Sequence, residues 1–268
     1  MHVMRTATTE IGYADQGTGP ALLLVHGHPF DHTMWQPQLD HFSHTHRVIA
    51  PDLRGYGATP LGAHPHSTDL GVFAEDLIDL LDELGIATCV VAGLSMGGQI
   101  AMELYRRHPE RVRGLVLADT FPAAETEEGK AARNAMADRL LAGGARAMRG
   151  YADEVLDRMV APYNTHAAPH VHRMMCATDP AGAAAALRGR AERPDYRQTL
   201  TTVPFPALVV VGRDDTYTPV TDAEDMHALL PVATLAIIEK AAHLPNLERP
   251  EEFNAVLENY LRSLVRPN

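Results

Sequence analysis

The chain of 268 residues is poor in cysteine, in cationic charge, in aromatic side chains and in long apolar runs. Two cysteines, Cys89 inside an apolar run and Cys176 far from it, cannot build a disulfide framework or a cysteine-based zinc site. A reducing cytoplasm is therefore the expected compartment. Lys and Arg number 23 against 34 Asp and Glu, and the resulting net charge of −11, with no basic block to break it, opposes binding to nucleic acid or an anionic membrane. No apolar stretch approaches the roughly 18 residues of a membrane span, and the opening Met1-His2-Val3-Met4-Arg5 lacks the apolar segment of a secretory leader. Hydrophobic residues nonetheless make up 46%, which excludes a disordered chain and is enough, at this length, to bury a substantial core.

What the sequence does contain is alternation. Short apolar runs at residues 21–25, 48–50, 89–92, 115–118, 207–211 and 235–238 read as strands, with helical patterns between them, and that order predicts a mostly parallel sheet covered by helices on both faces. Residues 70–84 place Val72, Phe73, Leu77, Leu80, Leu81 and Leu84 on one stripe and stop at Gly85, as a crossover helix should. A second helix follows Ser95 and stops at Pro109, and a third opens at Pro250 and runs to residue 264. Between residues 121 and 200 no strand-like run occurs. That segment is rich in Ala and Met and is broken by Gly143-Gly144, Pro162, Pro169 and Pro180. The expected organisation is one α/β core, residues 1–120 and 201–268, interrupted by a helical cap at 121–200.

The segment Val90-Val91-Ala92-Gly93-Leu94-Ser95-Met96-Gly97-Gly98 carries the most chemistry: a strand, then Gly-x-Ser-x-Gly, then a helix. A tight strand-to-helix turn of this kind lifts a serine hydroxyl out of the sheet, and glycines leave room for the backbone on either side. The bare pattern is common by chance; here the strand, the helix and the extra Gly98 agree with it. Serine needs a base and a carboxylate to orient that base, and the order Ser…Asp…His is available downstream. Asp215 follows the 207–211 strand, three residues past Gly212 and four before Pro219, and His243 follows the 235–238 strand. Asp119, at the end of the 115–118 strand, is the rival acid. A tetrahedral oxyanion needs two backbone N–H donors; Met96, directly after the serine, and His28, in the turn His26-Gly27-His28-Pro29-Phe30, are placed to supply them. Met136, Met148 and Met159, with Phe30 and Phe121, are the candidates for a substrate pocket, since thioethers repack around varied ligands, although methionine is more often plain core filler. Histidines 28, 32, 41, 44, 46, 64 and 66 are irregularly spaced and lack a helical carboxylate–histidine motif, so no metal site is expected.

Taken together, His26-Gly27, Asp52-Leu53-Arg54-Gly55-Tyr56-Gly57, Gly93–Gly98, His108-Pro109-Glu110-Arg111-Val112, the Gly212…Asp215…Pro219 segment and His243 resemble the α/β-hydrolase fold superfamily over nearly the whole chain. The resemblance is to its serine esterase, lactonase and cofactor-free perhydrolase branch. Serine at the turn argues against the dehalogenases and epoxide hydrolases of that fold, which place aspartate there. His28 departs from the bulky hydrophobe common in related enzymes. The resemblance implies a cofactor-independent hydrolase that cleaves a small carboxylic ester or lactone through an acyl-enzyme on a Ser95–His243–Asp215 triad. Carbon–carbon bond hydrolysis or perhydrolysis on the same triad, or a non-catalytic receptor for a small ligand, are the alternatives, and fold analogy does not choose among them.

Overall fold

The computed structural model describes residues 1–62 and 66–264. In chain order its elements are β1 His2–Arg5, β2 Glu10–Gln16, β3 Ala21–Val25, α1 Gln36–Phe42, β4 Arg47–Pro51, α2 Leu70–Glu83, β5 Cys89–Leu94, α3 Met96–Arg107 and β6 Val112–Ala118. They continue with α4 Glu127–Met159, α5 Ala168–Ala177, α6 Pro180–Ala191, α7 Arg197–Leu200, β7 Ala207–Gly212, α8 Val220–Leu229, β8 Ala233–Ile238, α9 Pro245–Glu248 and α10 Pro250–Ser263. The strands form one sheet in the order β1-β2-β4-β3-β5-β6-β7-β8. From β4 to β8 every pairing is parallel, while β1 and β2 join the β4 edge antiparallel.

The central strands are apolar throughout because both of their faces are covered. Leu23, Val25, Val91, Leu115, Leu117, Val209 and Val211 point to one face and pack with Phe73, Leu77, Ile100, Leu104 and Met226 of α2, α3 and α8. Their alternates Leu22, Leu24, Val90, Ala92, Val116, Leu208 and Val210 meet Leu39, Phe42, Phe253, Leu257 and Leu261 of α1 and α10 on the other. This is the period-two alternation of a strand buried on both sides. The edge hairpin of β1 and β2 escaped the apolar-run criterion. Edge strand β1 is largely exposed, while β2, between β1 and β4, buries Ile11 to Ala14 but is polar at both ends and has Gly12 within that stretch, so neither forms an apolar run.

Helices α4 to α7 occupy the whole stretch between β6 and β7, and no strand interrupts them. Helix α4 is two helical pieces meeting at Gly144, whose φ of 56° breaks the repeat where the sequence shows Gly143-Gly144. A separate apolar cluster of Ala137, Leu140, Met148, Ala183, Ala184 and Leu187 joins α4 to α6. Tyr151, Val155, Met159 and Val171 of α4 and α5 pack instead with the sheet cluster that contains Phe30 and Trp35.

Candidate active site

The turns leaving β3, β5, β6, β7 and β8 all lie at the carboxyl edge of the parallel strands, where open α/β sheets gather their functional groups. Strand register sets who is next to whom. Leu94 pairs with Ala118, Ala118 with Val210 and Gly212 with Ile238, so Ser95, Asp119, the Asp215 turn and the His243 loop stand side by side.

Ser95 joins β5 to α3 at φ 56° and ψ −116°, a conformation that non-glycine residues rarely adopt. The strain is held by what surrounds it. Ser95 N–H donates to Ala118 O at 2.9 Å, and Ser95 O accepts from the N–H groups of Gly98 and Gln99 and from Thr120 Oγ1 at 2.8 Å. A Cβ at Gly97 would lie 2.1 Å from Val25 O, and one at Gly93 2.1 Å from Gly97 O, so the turn closes only with glycine at both positions. Ser95 Oγ makes no hydrogen bond among the described residues; such contacts are often long in unliganded sites and tighten with substrate.

His243 Nδ1 lies 2.8 Å from Asp215 Oδ2, and both side chains are buried. Asp215 is itself fixed: Oδ1 accepts from the N–H of Tyr217 at 2.7 Å and of Thr218 at 3.2 Å, and Oδ2 also accepts the Thr218 hydroxyl. Burial alone would raise this carboxyl, but the charge and hydrogen bond of His243, with the Thr218 and Tyr217 donors, outweigh it and hold the group below the usual carboxylate range. Asp119 has the opposite environment. Its Oδ1 accepts from Gly212 N–H at 2.9 Å, but its buried Oδ2 has no partner. Burial, and then the neighbouring charge of Asp215, push it well above the ordinary carboxyl value, the opposite direction to Asp215. Polar atoms of Asp119, Asp215 and His243 lie within 4.8 Å of one another.

Met96 opens α3 and His28 follows β3, and no backbone hydrogen bond consumes either N–H among the described residues. The His28 ring is buried. Its Nδ1 lies 2.7 Å from Tyr56 Oη, its Nε2 has no partner, and burial followed by the charge of Arg190 drives its pKa well below the ordinary histidine value. Of the pocket candidates, Phe30 and Met159 share the sheet cluster that also holds Leu94 and Leu244, the neighbours of Ser95 and His243. Met148 belongs to the α4–α6 cluster and Met136 packs against it, while Phe121 lies under the Arg193 guanidinium, 4.8 Å from ring centroid to Cζ.

One residue with a clear positioning part carried no motif in the sequence. Glu248 is buried in α9, where Oε1 accepts from the N–H of Ala242 at 2.9 Å and of Leu244 at 3.2 Å, on either side of His243. Its Oε2 accepts from Ala161 N–H and Asn164 Nδ2, both at 2.8 Å, tying the chain beyond α4 to the histidine loop. Nothing local marks it in the sequence, where it stands between Leu247 and Arg249 ahead of Pro250-Glu251-Glu252. Among the described residues the other grouping with metal-ligand spacing is Asp31, His32 and Asp52. Its oxygens are engaged in shaping the turn: Asp52 Oδ1 accepts from His32 N–H and faces His32 Nδ1, Asp52 Oδ2 accepts from Ala58 N–H, and Asp31 Oδ1 accepts from Thr33 N–H. His64, one of the clustered histidines, lies outside the described residues.

A strained serine turn beside a buried imidazole–carboxylate pair, on the carboxyl edge of a mostly parallel eight-stranded sheet, defines the α/β-hydrolase fold. The chain belongs to the alpha/beta hydrolase family, whose model matches residues 22–256. It is 29% identical to 3-oxoadipate enol-lactonase 1 of Acinetobacter baylyi, over 91% of this chain and 90% of that protein. It is 28% identical to the pimeloyl-[acyl-carrier protein] methyl ester esterase of Aeromonas hydrophila, over 91% of this chain and 96% of that one. Among solved structures it is similar to a malate-bound thermophilic esterase from Thermogutta terrifontis, with a TM-score of 0.94 and 32% identity across 99% of this chain and 100% of that one.

Proposed function

We propose that the protein hydrolyses a carboxylic ester or lactone through an acyl-enzyme, without a cofactor. The observation that carries this reading is the His243 Nδ1–Asp215 Oδ2 contact of 2.8 Å beside a serine held at φ 56°. With Nδ1 committed to the carboxylate, Nε2 is the free base. Ser95 Oγ attacks the carbonyl carbon while His243 Nε2 takes its proton, and the developing oxyanion receives the N–H groups of His28 and Met96. The carbon–oxygen bond then breaks, and His243 returns the proton to the leaving alkoxide, which stays tethered in the case of a lactone. Water repeats the sequence on the acyl-enzyme and regenerates Ser95. The relatives whose names are an enol-lactonase and a methyl ester esterase support this chemistry.

In this reading residues 121–200 form a cap on a core of residues 1–120 and 201–268, and select substrate by shape. The apolar contacts of Val155, Met159 and Val171 with the sheet cluster support it. Charge and cysteine usage favour action on a small molecule in the cytoplasm, and no helix among the described residues is long and apolar enough to cross a membrane.

The test is a hydrolysis screen over p-nitrophenyl esters of graded chain length and simple lactones, run beside Ser95→Ala. The variant should lose about 10⁴- to 10⁶-fold in kcat with its fold intact. A fluorophosphonate should add once to the wild-type protein, at Ser95. Near-normal turnover by Ser95→Ala refutes the mechanism, and stoichiometric binding without turnover points to a receptor.

A further inference from the structure

Arg190 lies near the end of α6 and is 7% exposed, yet it forms no ion pair among the described residues. Its guanidinium makes one hydrogen bond, from Nε to Gln99 Oε1 at 3.1 Å. The two nearby arginines offer no relief. Arg133 and Arg193 both bind Glu125, at 2.5 and 2.8 Å, and Arg190 feels their positive charge rather than that carboxylate, inside a protein of net charge −11. Burying a cation without a counter-charge is costly, and such groups are normally paired.

The position is built rather than incidental. Helix α6 is seated on the core through Gly182, where a Cβ would lie 1.9 Å from Gly55 O, and Gly189, where one would lie 1.8 Å from Thr68 O. Thr68 N–H donates to Ala185 O at 3.0 Å between them. Gln99, which holds Arg190, lies in the first turn of α3, and its N–H donates to Ser95 O at 3.2 Å. On the far side Arg190 acts electrostatically on His28, Tyr56 and Tyr151, which line the turn carrying the proposed oxyanion donor. His28 Nε2 is itself buried and has no partner among the described residues.

We propose that Arg190 anchors a carboxylate carried by the substrate, so that the ester or lactone cleaved at Ser95 belongs to a dicarboxylic acid and bears its second acid group, free and ionised, a few carbons from the reacting carbonyl. This rests on the ester-hydrolase reading of the site. A planar guanidinium whose terminal nitrogens make no hydrogen bond among the described residues matches a carboxylate in a two-pronged contact, and its hold on Gln99, whose own N–H is bound to Ser95 O, places it within reach of a small substrate at the nucleophile. Bound substrate would supply the missing counter-charge, and a neutral ester would leave it missing.

The experiment compares initial rates on monomethyl succinate, glutarate and adipate with those on the corresponding dimethyl esters. In the wild-type protein at least one half-ester should exceed its dimethyl ester in kcat/KM by about 10- to 150-fold, chiefly through KM. Arg190→Gln should bring that ratio close to one, and Arg190→Lys should restore part of it. A wild-type ratio near one, or a ratio unchanged in Arg190→Gln, overturns the assignment. Calorimetric titration of the wild-type protein with succinate, glutarate and adipate, against their dimethyl esters, needs neither turnover nor a folded variant. Binding of a diacid but not of its diester supports the anchor, and equal or absent binding overturns it. If no ester is turned over and a fluorophosphonate does not label Ser95, the ester-hydrolase reading has failed, and the titration still decides Arg190.

Discussion

Exchanging Asp215 for asparagine tests the site more sharply than removing it, because the turn around the carboxylate dictates how the amide must sit. Oδ1 accepts from two backbone donors, Tyr217 N–H and Thr218 N–H, so the asparagine carbonyl takes that place. Its NH₂ group is then left where Oδ2 stood, 2.8 Å from His243 Nδ1. Two N–H donors cannot face each other, and the imidazole must switch to the tautomer that accepts at Nδ1 and carries its proton on Nε2. That form cannot take the proton of Ser95. The expected loss in kcat is up to roughly 10⁴-fold, or about 5 kcal/mol of barrier, with little change in KM. Asp119→Asn is the control. The pKa of Asp119 is raised, and asparagine is nearly the isostere of its acid form: the carbonyl keeps the Gly212 N–H, and the NH₂ replaces the Oδ2 that has no partner among the described residues. It should change kcat by less than about tenfold. Initial rates on a p-nitrophenyl ester at neutral pH, with circular dichroism to confirm folding, decide the matter. The reverse order of effects would refute the reasoning and move the orienting acid to Asp119.

Further outcomes follow from the same contacts. If only the His28 N–H stabilises the oxyanion, His28→Ala should keep kcat within about tenfold, whereas the loss of a donor costs on the order of 10²–10³ in steady-state rates. Glu248→Gln places an NH₂ group against two backbone N–H donors and should destabilise the protein by about 2–3 kcal/mol in urea unfolding, with kcat falling as the His243 loop loosens; stability equal to wild type would remove Glu248 from the histidine clamp. The two site acids should leave opposite marks on stability against pH. Asp215 is more acidic folded than unfolded, so its contribution is present above about pH 3.9 and is lost as pH falls through its lower folded value. Asp119 is less acidic folded, so its contribution is complete below about pH 3.9 and is lost as pH rises through its raised value. Urea titrations across pH should show the acid limb flattened in Asp215→Asn and the loss on the rising side removed in Asp119→Asn; unaltered curves in both would contradict these environments.

Much of the molecule was legible because its signals are local. Residues 89–94 and 207–212 are apolar throughout because both faces of a central strand are buried, and glycine at 93 and 97 is required because a Cβ at either would lie 2.1 Å from a backbone oxygen. The order of Ser95, Asp215 and His243 in the chain, and the break of α4 at Gly144, were likewise readable from single segments. Edge strand β1 and its neighbour β2 were not, since β1 is largely exposed and the buried stretch Ile11 to Ala14 of β2 is short, broken by Gly12 and flanked by polar residues. Nor could periodicity divide the methionines. Met148 faces α6 and Met159 faces the sheet, a difference set by the bend at Gly144 and by which surface each piece of α4 meets.

The sequence by itself determined the alternation of strands and helices, the serine turn and the residue types that could complete a triad, because each depends on neighbours within a few positions. Only the tertiary structure decided which of two aspartates meets the imidazole. His243, 28 residues on, is brought against Asp215, whose own turn adds three further donors, whereas Asp119 accepts only from Gly212 N–H, and its Oδ2 has no partner among the described residues. It also decided that Glu248 grips both sides of His243 and that Arg190 is buried beside Gln99 without a counter-ion. Burial and pairing are sums over groups distant in the chain, and no local pattern records them.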